Sequence, residues 1–194
     1  MSSAFTAWGV EVTVLELGAV VLALVGIALG IRGTRWAWPP YLGSSLLYAA
    51  LFLRHALYAS AALQLVFGLA AVWGFFGWGE EGVVRARTLR STARAGVALA
   101  VVAGWLLSVP ILRAIGGAAT APDAFLLVAS LVAQVLMVTR FVESWLMWLV
   151  ADVVGIVHYA RQGLWFTSLL YLVLVVMAIV GLRAWAARGR TVPT

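Results

Sequence analysis

At 194 residues, with 64% hydrophobic and 10% charged side chains and a mean hydropathy of +1.06, the chain lies far outside the composition of soluble globular domains. That excludes a soluble enzyme and leaves no room for a separate soluble domain. A net charge of +6 spread thinly over such a chain is no nucleic-acid surface, and the absence of cysteine removes disulfides and thiolate chemistry.

Apolar runs long enough to cross about 30 Å of hydrocarbon follow one another along the whole length. In chain order they are Val12–Ile31, Trp36–Leu53, Leu57–Trp78, Arg94–Leu112, Ala124–Thr139, Trp145–Ala160 and Leu164–Trp185. The expected fold is an all-α integral membrane protein of seven transmembrane helices in a single membrane domain, residues 1–194. The first run reads as a span and not as a cleavable leader, because no basic region precedes it.

All thirteen basic residues are arginine, and they are unevenly placed. One side of the membrane would carry Arg54, Arg113 and Arg161. The other would carry Arg32, Arg35, Arg85, Arg87, Arg90, Arg94, Arg140, Arg183, Arg188 and Arg190. The excess marks the cytoplasmic side, so the N-terminus is expected outside and the C-terminus in the cytoplasm of a multi-pass plasma (inner) membrane protein. The net charge then reads as topology and anionic-lipid contact. The segment "EEGVVRARTLRSTARAG" reads as a solvated cytoplasmic loop facing headgroups.

The two halves align at an offset of 107 residues. Trp38 falls on Trp145, Arg54 on Arg161, Leu57 on Leu164, Leu63 on Leu170, Leu65 on Leu172, Ala71 on Ala178, Gly74 on Gly181 and Trp78 on Trp185. Upstream, the acid Glu16 falls on the acid Asp123. Residues 12–78 thus pair with residues 123–185, and residues 94–112 become a connecting helix. One connecting helix after a three-helix unit brings the chain back to its starting side. The expectation is therefore a parallel 3+1+3 repeat, an architecture that places a solute site near the midplane.

Polar residues inside the spans point to that site. In the sixth span, Trp145, Trp148, Asp152, Gly155 and Tyr159 recur at +3, +4, +3, +4, an arc of about 80° on a helix. Gln64, Phe67, Ala71, Gly74 and Trp78 repeat the spacing in the third span, as do Tyr171, Leu174, Ala178, Gly181 and Trp185 in the seventh. Ser130, Gln134 and Met137 share a face in the fifth. A carboxylate at bilayer depth costs about 2.5–3.5 kcal/mol on insertion scales, so Asp152 is expected to face a partner or a wet cavity. Flat aromatic faces stack on flat rings and attract cations. One acid adds a counter-charge, and the amides address hydroxyl or carboxamide groups. The expected ligand is a ring-bearing polar solute, cationic in the simplest case, contacted by Gln64, Phe67, Gln134, Trp145, Trp148, Asp152, Tyr159 and Tyr171.

Other residues have plainer readings. Ala71, Ala178, Gly74 and Gly181 suit helix packing. Trp8, Trp36, Trp78, Trp165 and Trp185 read as interfacial anchors. Glu143 and Asp123 fit helix N-termini, where a carboxylate opposes the dipole. His158 lies about 100° from the centre of the aromatic arc and reads as a hydrogen-bonded core histidine.

The chain resembles the nicotinamide riboside transporter (PnuC) family of vitamin-precursor transporters over about Trp8 to Trp185. The match rests on "RWAWPPYLGSSLLYA", "LYASAALQ" and "VWGFFGW" in the first half and on "SLVAQVLM", "ESWLMWLVAD", "QGLWFTSLLY" and "GLRAW" in the second. The resemblance implies a fold related to SWEET sugar transporters, often assembled as a homotrimer. It implies facilitative movement of an unphosphorylated vitamin precursor, trapped by a cytoplasmic kinase: nicotinamide riboside first, thiamine or riboflavin in relatives. It also implies solute contact at Gln64, Gln134, Trp145, Trp148, Asp152 and Tyr159. Three positions depart from the family pattern. Ser60 stands where an acid is common, Phe75 where tryptophan is common and Asp152 where asparagine is frequent in nicotinamide riboside carriers.

No catalytic residues, cofactor or metal site is expected. Asp152 and His158 are six residues apart and face different ways on one helix, so they do not form an acid–base pair with Ser144 or Ser168. A non-transporting membrane structural module is the rival of a different class. It predicts polar residues spent on helix partners.

Overall fold

The computed structural model describes residues 3–7, 10–54, 58–79, 83–114, 121–161 and 165–189. Among the described residues, seven α-helices follow a short antiparallel hairpin of β1 (Ser3–Ala7) and β2 (Val10–Thr13). The helices are α1 (Val14–Arg32), α2 (Trp38–Arg54), α3 (Tyr58–Gly77), α4 (Ser91–Ala114), α5 (Ala121–Val138), α6 (Glu143–Arg161) and α7 (Trp165–Gly189). Each coincides with an expected span to within a few residues. The hairpin was not expected, and residues 12 and 13, read as helix, belong to its second strand.

Among the described residues, α1, α4, α5 and α7 contain stretches long and apolar enough to cross a membrane by length and composition alone. Within α3 the apolar helix Leu63–Gly77 is shorter, and the remaining two helices have physical reasons for falling short. Helix α2 is 17 residues long and opens on Trp-Pro-Pro, and α6 carries Glu143, Asp152, His158 and Arg161.

The chain forms two compact units, Met1–Val84 and Arg85–Thr194. In the first, α2 packs on both α1 and α3. Helix α1 starts on the pattern Thr-x-x-Glu: the Thr13 hydroxyl accepts a hydrogen bond from the Glu16 N–H at 3.2 Å, which satisfies a donor the helix cannot. Small residues let α1 and α2 close up. Ala19 is fully buried, and the Tyr41 ring lies over Gly26. The Ser44 hydroxyl donates to the Ala19 carbonyl at 2.8 Å, so this polar side chain is satisfied within the apolar layer. In the second unit α4 packs on α5, α5 on α6 and α6 on α7. The Trp105 indole donates to the Ala121 carbonyl at 2.7 Å and meets Phe125 edge-on, tying α4 to the start of α5.

The bends that follow α1 and α5 carry the same main-chain bonds. After α1, Gly33 donates to the Gly30 carbonyl (2.9 Å), Thr34 to Leu29 (3.4 Å) and Ala37 to Thr34 (3.1 Å). After α5, Arg140 donates to Met137 (3.0 Å), Phe141 to Leu136 (2.9 Å) and Ser144 to Phe141 (3.1 Å). Each bond in the second set lies 107 positions beyond its counterpart in the first. Both bends turn on a left-handed residue, Gly33 at φ 73° and Arg140 at φ 69°. A left-handed conformation costs a residue with a Cβ about 1–2 kcal/mol, whereas glycine adopts it freely at some cost in unfolded-chain entropy. Arg140→Gly is therefore expected to raise stability by about 0.5–1 kcal/mol, measured as an upward shift of the thermal midpoint in detergent.

The arginine-rich connection is more than a solvated loop. In the first unit the Val84 N–H donates to the Gly33 carbonyl at 2.7 Å. In the second, the Arg87 N–H donates to the Arg140 carbonyl and the Arg87 carbonyl accepts from Val142, both at 2.8 Å. Glu143 accepts from the Leu89 N–H at 3.1 Å and from Arg94 Nε at 2.9 Å. Glu143 thus does more than sit in the first turn of α6: it fastens the connection and the start of α4 to that turn. The guanidinium groups remain exposed, as the charge pattern implied.

Candidate functional site

Two tryptophan notches frame the helices that carry the candidate residues. In the first unit Trp38 is 1% exposed, meets Trp78 edge-on at 4.8 Å and fills the space above Gly74, where a Cβ would overlap its indole. In the second unit Trp145 is 2% exposed, meets Trp185 edge-on at 5.8 Å and fills the space above Gly181 in the same way. The packing role expected of Gly74, Gly181, Ala71 and Ala178 holds, since all four are buried. Trp78 and Trp185 are not interfacial anchors. They are buried partners of Trp38 and Trp145, because a glycine one turn earlier admits an indole from the neighbouring helix. Trp36 is exposed in the short 3-10 turn Arg35–Ala37 that precedes α2. Trp8 and the side chain of Trp165 lie outside the described residues.

The polar face of α6 follows from its spacing. Asp152 is buried, one turn beyond Trp148, and among the described residues no donor reaches its carboxylate. Gly155, one turn further on, accepts the Tyr171 ring from α7; a Cβ there would overlap it. Tyr171 in turn lies 5.1 Å from Tyr159, the rings tilted by 35°. Tyr159 also packs against the cluster of Leu126, Ala129 and Ala151 between α5 and α6. The second unit therefore brings Asp152, Tyr159 and Tyr171 to one region of α6 and α7, with Trp148 half-buried on the same face. Trp145 shares that face, but its surface is enclosed by Gly181 and Trp185.

Gln134 is half-buried on α5, and Gln64 and Phe67 are half-buried on α3 of the first unit. Neither amide has a hydrogen-bond partner among the described residues.

His158 is buried, and its Nε2 lies 2.6 Å from Asp123 Oδ1. It is the hydrogen-bonded histidine its position implied, and Asp123 is its hydrogen-bond partner as well as a first-turn acid of α5. In the sequence, the signal for this pair is an acid opening one span and a histidine closing the next. Ser168 on α7 is buried and donates to the Ile156 carbonyl at 3.0 Å, which takes it out of any nucleophilic role.

Residues 13–187 match the family model described as nicotinamide mononucleotide transporter. The chain belongs to that family. The Escherichia coli nicotinamide riboside transporter PnuC is 30% identical over 74% of this chain and 73% of its own length. The riboflavin/roseoflavin transporter RibM of Streptomyces davaonensis is 27% identical over 97% of this chain and 92% of its own. The crystal structure of the vitamin B3 transporter PnuC superposes with a TM-score of 0.76 at 26% identity, covering 91% of this chain and 82% of that one. The chain is therefore a multi-pass membrane transporter of the PnuC type and not an enzyme.

Proposed function

We propose that the protein is a facilitative carrier for an unphosphorylated vitamin precursor, with nicotinamide riboside as the leading solute. The observation that carries this reading is the buried carboxylate of Asp152, which no described residue satisfies, beside the Tyr159–Tyr171 pair. Such a group is expensive in hydrocarbon and unnecessary for folding, so a function retains it. Trp148 and Gln134 are the further contacts proposed for the second unit, whereas Trp145, enclosed by Gly181 and Trp185, serves packing; in the first unit, taken by itself, Gln64 and Phe67 are the proposed contacts. The equivalent bends and the paired tryptophan notches support reading residues 12–78 and 123–185 as two copies of one three-helix unit, with residues 94–112 connecting them. On this reading the copies run parallel, the N-terminus is outside and the C-terminus is cytoplasmic. The carrier works as a homotrimer, and a cytoplasmic kinase traps the solute by phosphorylation.

Riboflavin is the second reading, favoured by the nearly full-length similarity to RibM. Thermal-shift titration of the purified protein with nicotinamide riboside, thiamine and riboflavin separates the possibilities. A specific ligand at 100 times its dissociation constant adds about 2.7 kcal/mol of stability. Gln134→Ala and Gln64→Ala are expected to weaken binding about 5- to 50-fold, the loss of one or two hydrogen bonds, while membrane insertion stays normal. Stabilisation by riboflavin alone overturns the leading reading, and stabilisation by none of the three overturns both.

A further inference from the structure

We infer that Asp152 is the charge selector of the site: it makes the carrier prefer an N-ribosylated pyridinium cation over the uncharged ring of the same shape. The inference rests on the transport reading above and adds to it a residue and a physical basis for discrimination.

Asp152 is 5% exposed, and among the described residues it has neither a hydrogen-bond donor nor a cationic partner. The acids Asp123 and Glu143 of the second unit are already engaged. His158 pairs with Asp123, and Glu143 holds Arg94 and the Leu89 N–H. Asp152 is a buried carboxylate without such a partner among the described residues, in a layer that has no water to supply a donor.

The neighbours of Asp152 complete the chemistry. Trp148 precedes it by one turn, and Gly155 follows it by three residues with the Tyr171 ring seated above it. Tyr159 lies 5.1 Å beyond Tyr171. The ring face of an aromatic side chain carries partial negative charge, so these rings and the carboxylate favour the same sign of ligand. A flat cation gains from both. A flat neutral ring gains stacking only and leaves the carboxylate without a partner. A buried acid facing a neutral ligand must stay unpaired or take up a proton, whereas a fixed positive charge on the ring compensates it directly.

The test compares two forms of one molecule. Nicotinamide riboside carries a pyridinium cation, and its reduced dihydropyridine form has nearly the same outline without the charge. Dissociation constants for both are measured by thermal shift and by equilibrium binding on the purified wild type, on Asp152→Asn and on Asp152→Glu. The wild type is expected to prefer the cation by about 10-fold or more, as removing a desolvated charge partner generally does. Asp152→Asn keeps the shape and a hydrogen-bonding group and is expected to bring the two forms to within about twofold, chiefly by weakening the cation. Asp152→Glu keeps the charge and is expected to keep the preference.

Equal binding of both forms by the wild type overturns the selector while leaving the transport reading intact. So does an undiminished preference in Asp152→Asn. Failure of the wild type to bind either form removes the nicotinamide riboside reading and the selector with it. Should Asp152→Asn not yield folded protein, loss of the preference in Asp152→Glu decides against the selector and its retention decides for it.

Discussion

Gly74→Ala and Gly181→Ala are each expected to destabilise the protein by about 3 kcal/mol, at the upper end of the usual range for an overfilled core. The cause is local and the same in both units. A methyl at either position would overlap an indole ring, Trp38 in one case and Trp145 in the other. Neither ring has an inexpensive way out, because each is edge-on to a second buried indole, Trp78 or Trp185. At this chain length the loss corresponds to a fall of about 6–12 °C in the thermal midpoint. Gly96→Ala is the control. Nothing lies within 4 Å of a Cβ there, and replacing glycine within a helix is expected to add about 0.5–1 kcal/mol of stability. Combining Gly74→Ala with Trp38→Leu should recover most of the penalty of the glycine change, since the colliding ring is gone. Equal melting of Gly74→Ala, Gly181→Ala and the wild type would show that the notches yield, and the packing account would fail.

Glu143→Ala is expected to cost about 1–3 kcal/mol, with Arg94→Ala costing less than about 1 kcal/mol. The asymmetry comes from burial. The Glu143 side chain is 13% exposed and Arg94 is 56% exposed, so the ion pair at 2.9 Å is screened and its arginine half contributes little. The carboxylate also accepts from the Leu89 main-chain N–H, and removing it strands that donor in a partly buried position. Melting curves for the two variants at low and high salt measure the difference. A loss in Arg94→Ala equal to that in Glu143→Ala, abolished by salt, would show that the attraction between charges dominates and the main-chain anchor does not.

How much of this could be read from residues alone depended on the kind of signal. Helix positions were legible because apolar runs of membrane length admit few other structures, and the offset pairing Trp38 with Trp145 pointed at positions that pack alike. The hairpin was missed because Val-Glu-Val-Thr at residues 10–13 leads straight into an apolar run, and the run dominated the reading. Trp78 and Trp185 were misassigned because a tryptophan near the end of a span suits both a headgroup layer and a buried notch. The clue lay in complementary sizes: a glycine one turn before the second tryptophan leaves room for the first. The connection was read by charge alone, whereas its main-chain bonds to Gly33, Arg140 and Val142 depend on geometry that charge does not encode. At the site, the spacing on α6 placed Asp152, Tyr159 and Trp148 on one face, but nothing in it indicated that Trp145 would be enclosed by α7.

The bends at Gly33 and Arg140 share their bonding scheme while differing in every residue at their tips: Gly-Thr-Arg in one, Arg-Phe-Val in the other. A corner stitched together by peptide groups makes almost no demand on which amino acids occupy it. Selection is then free to rewrite those letters for other purposes, such as basic residues at a headgroup boundary, without moving the rods on either side. Kinship between distant halves of such a molecule is better sought in torsion angles than in spelling.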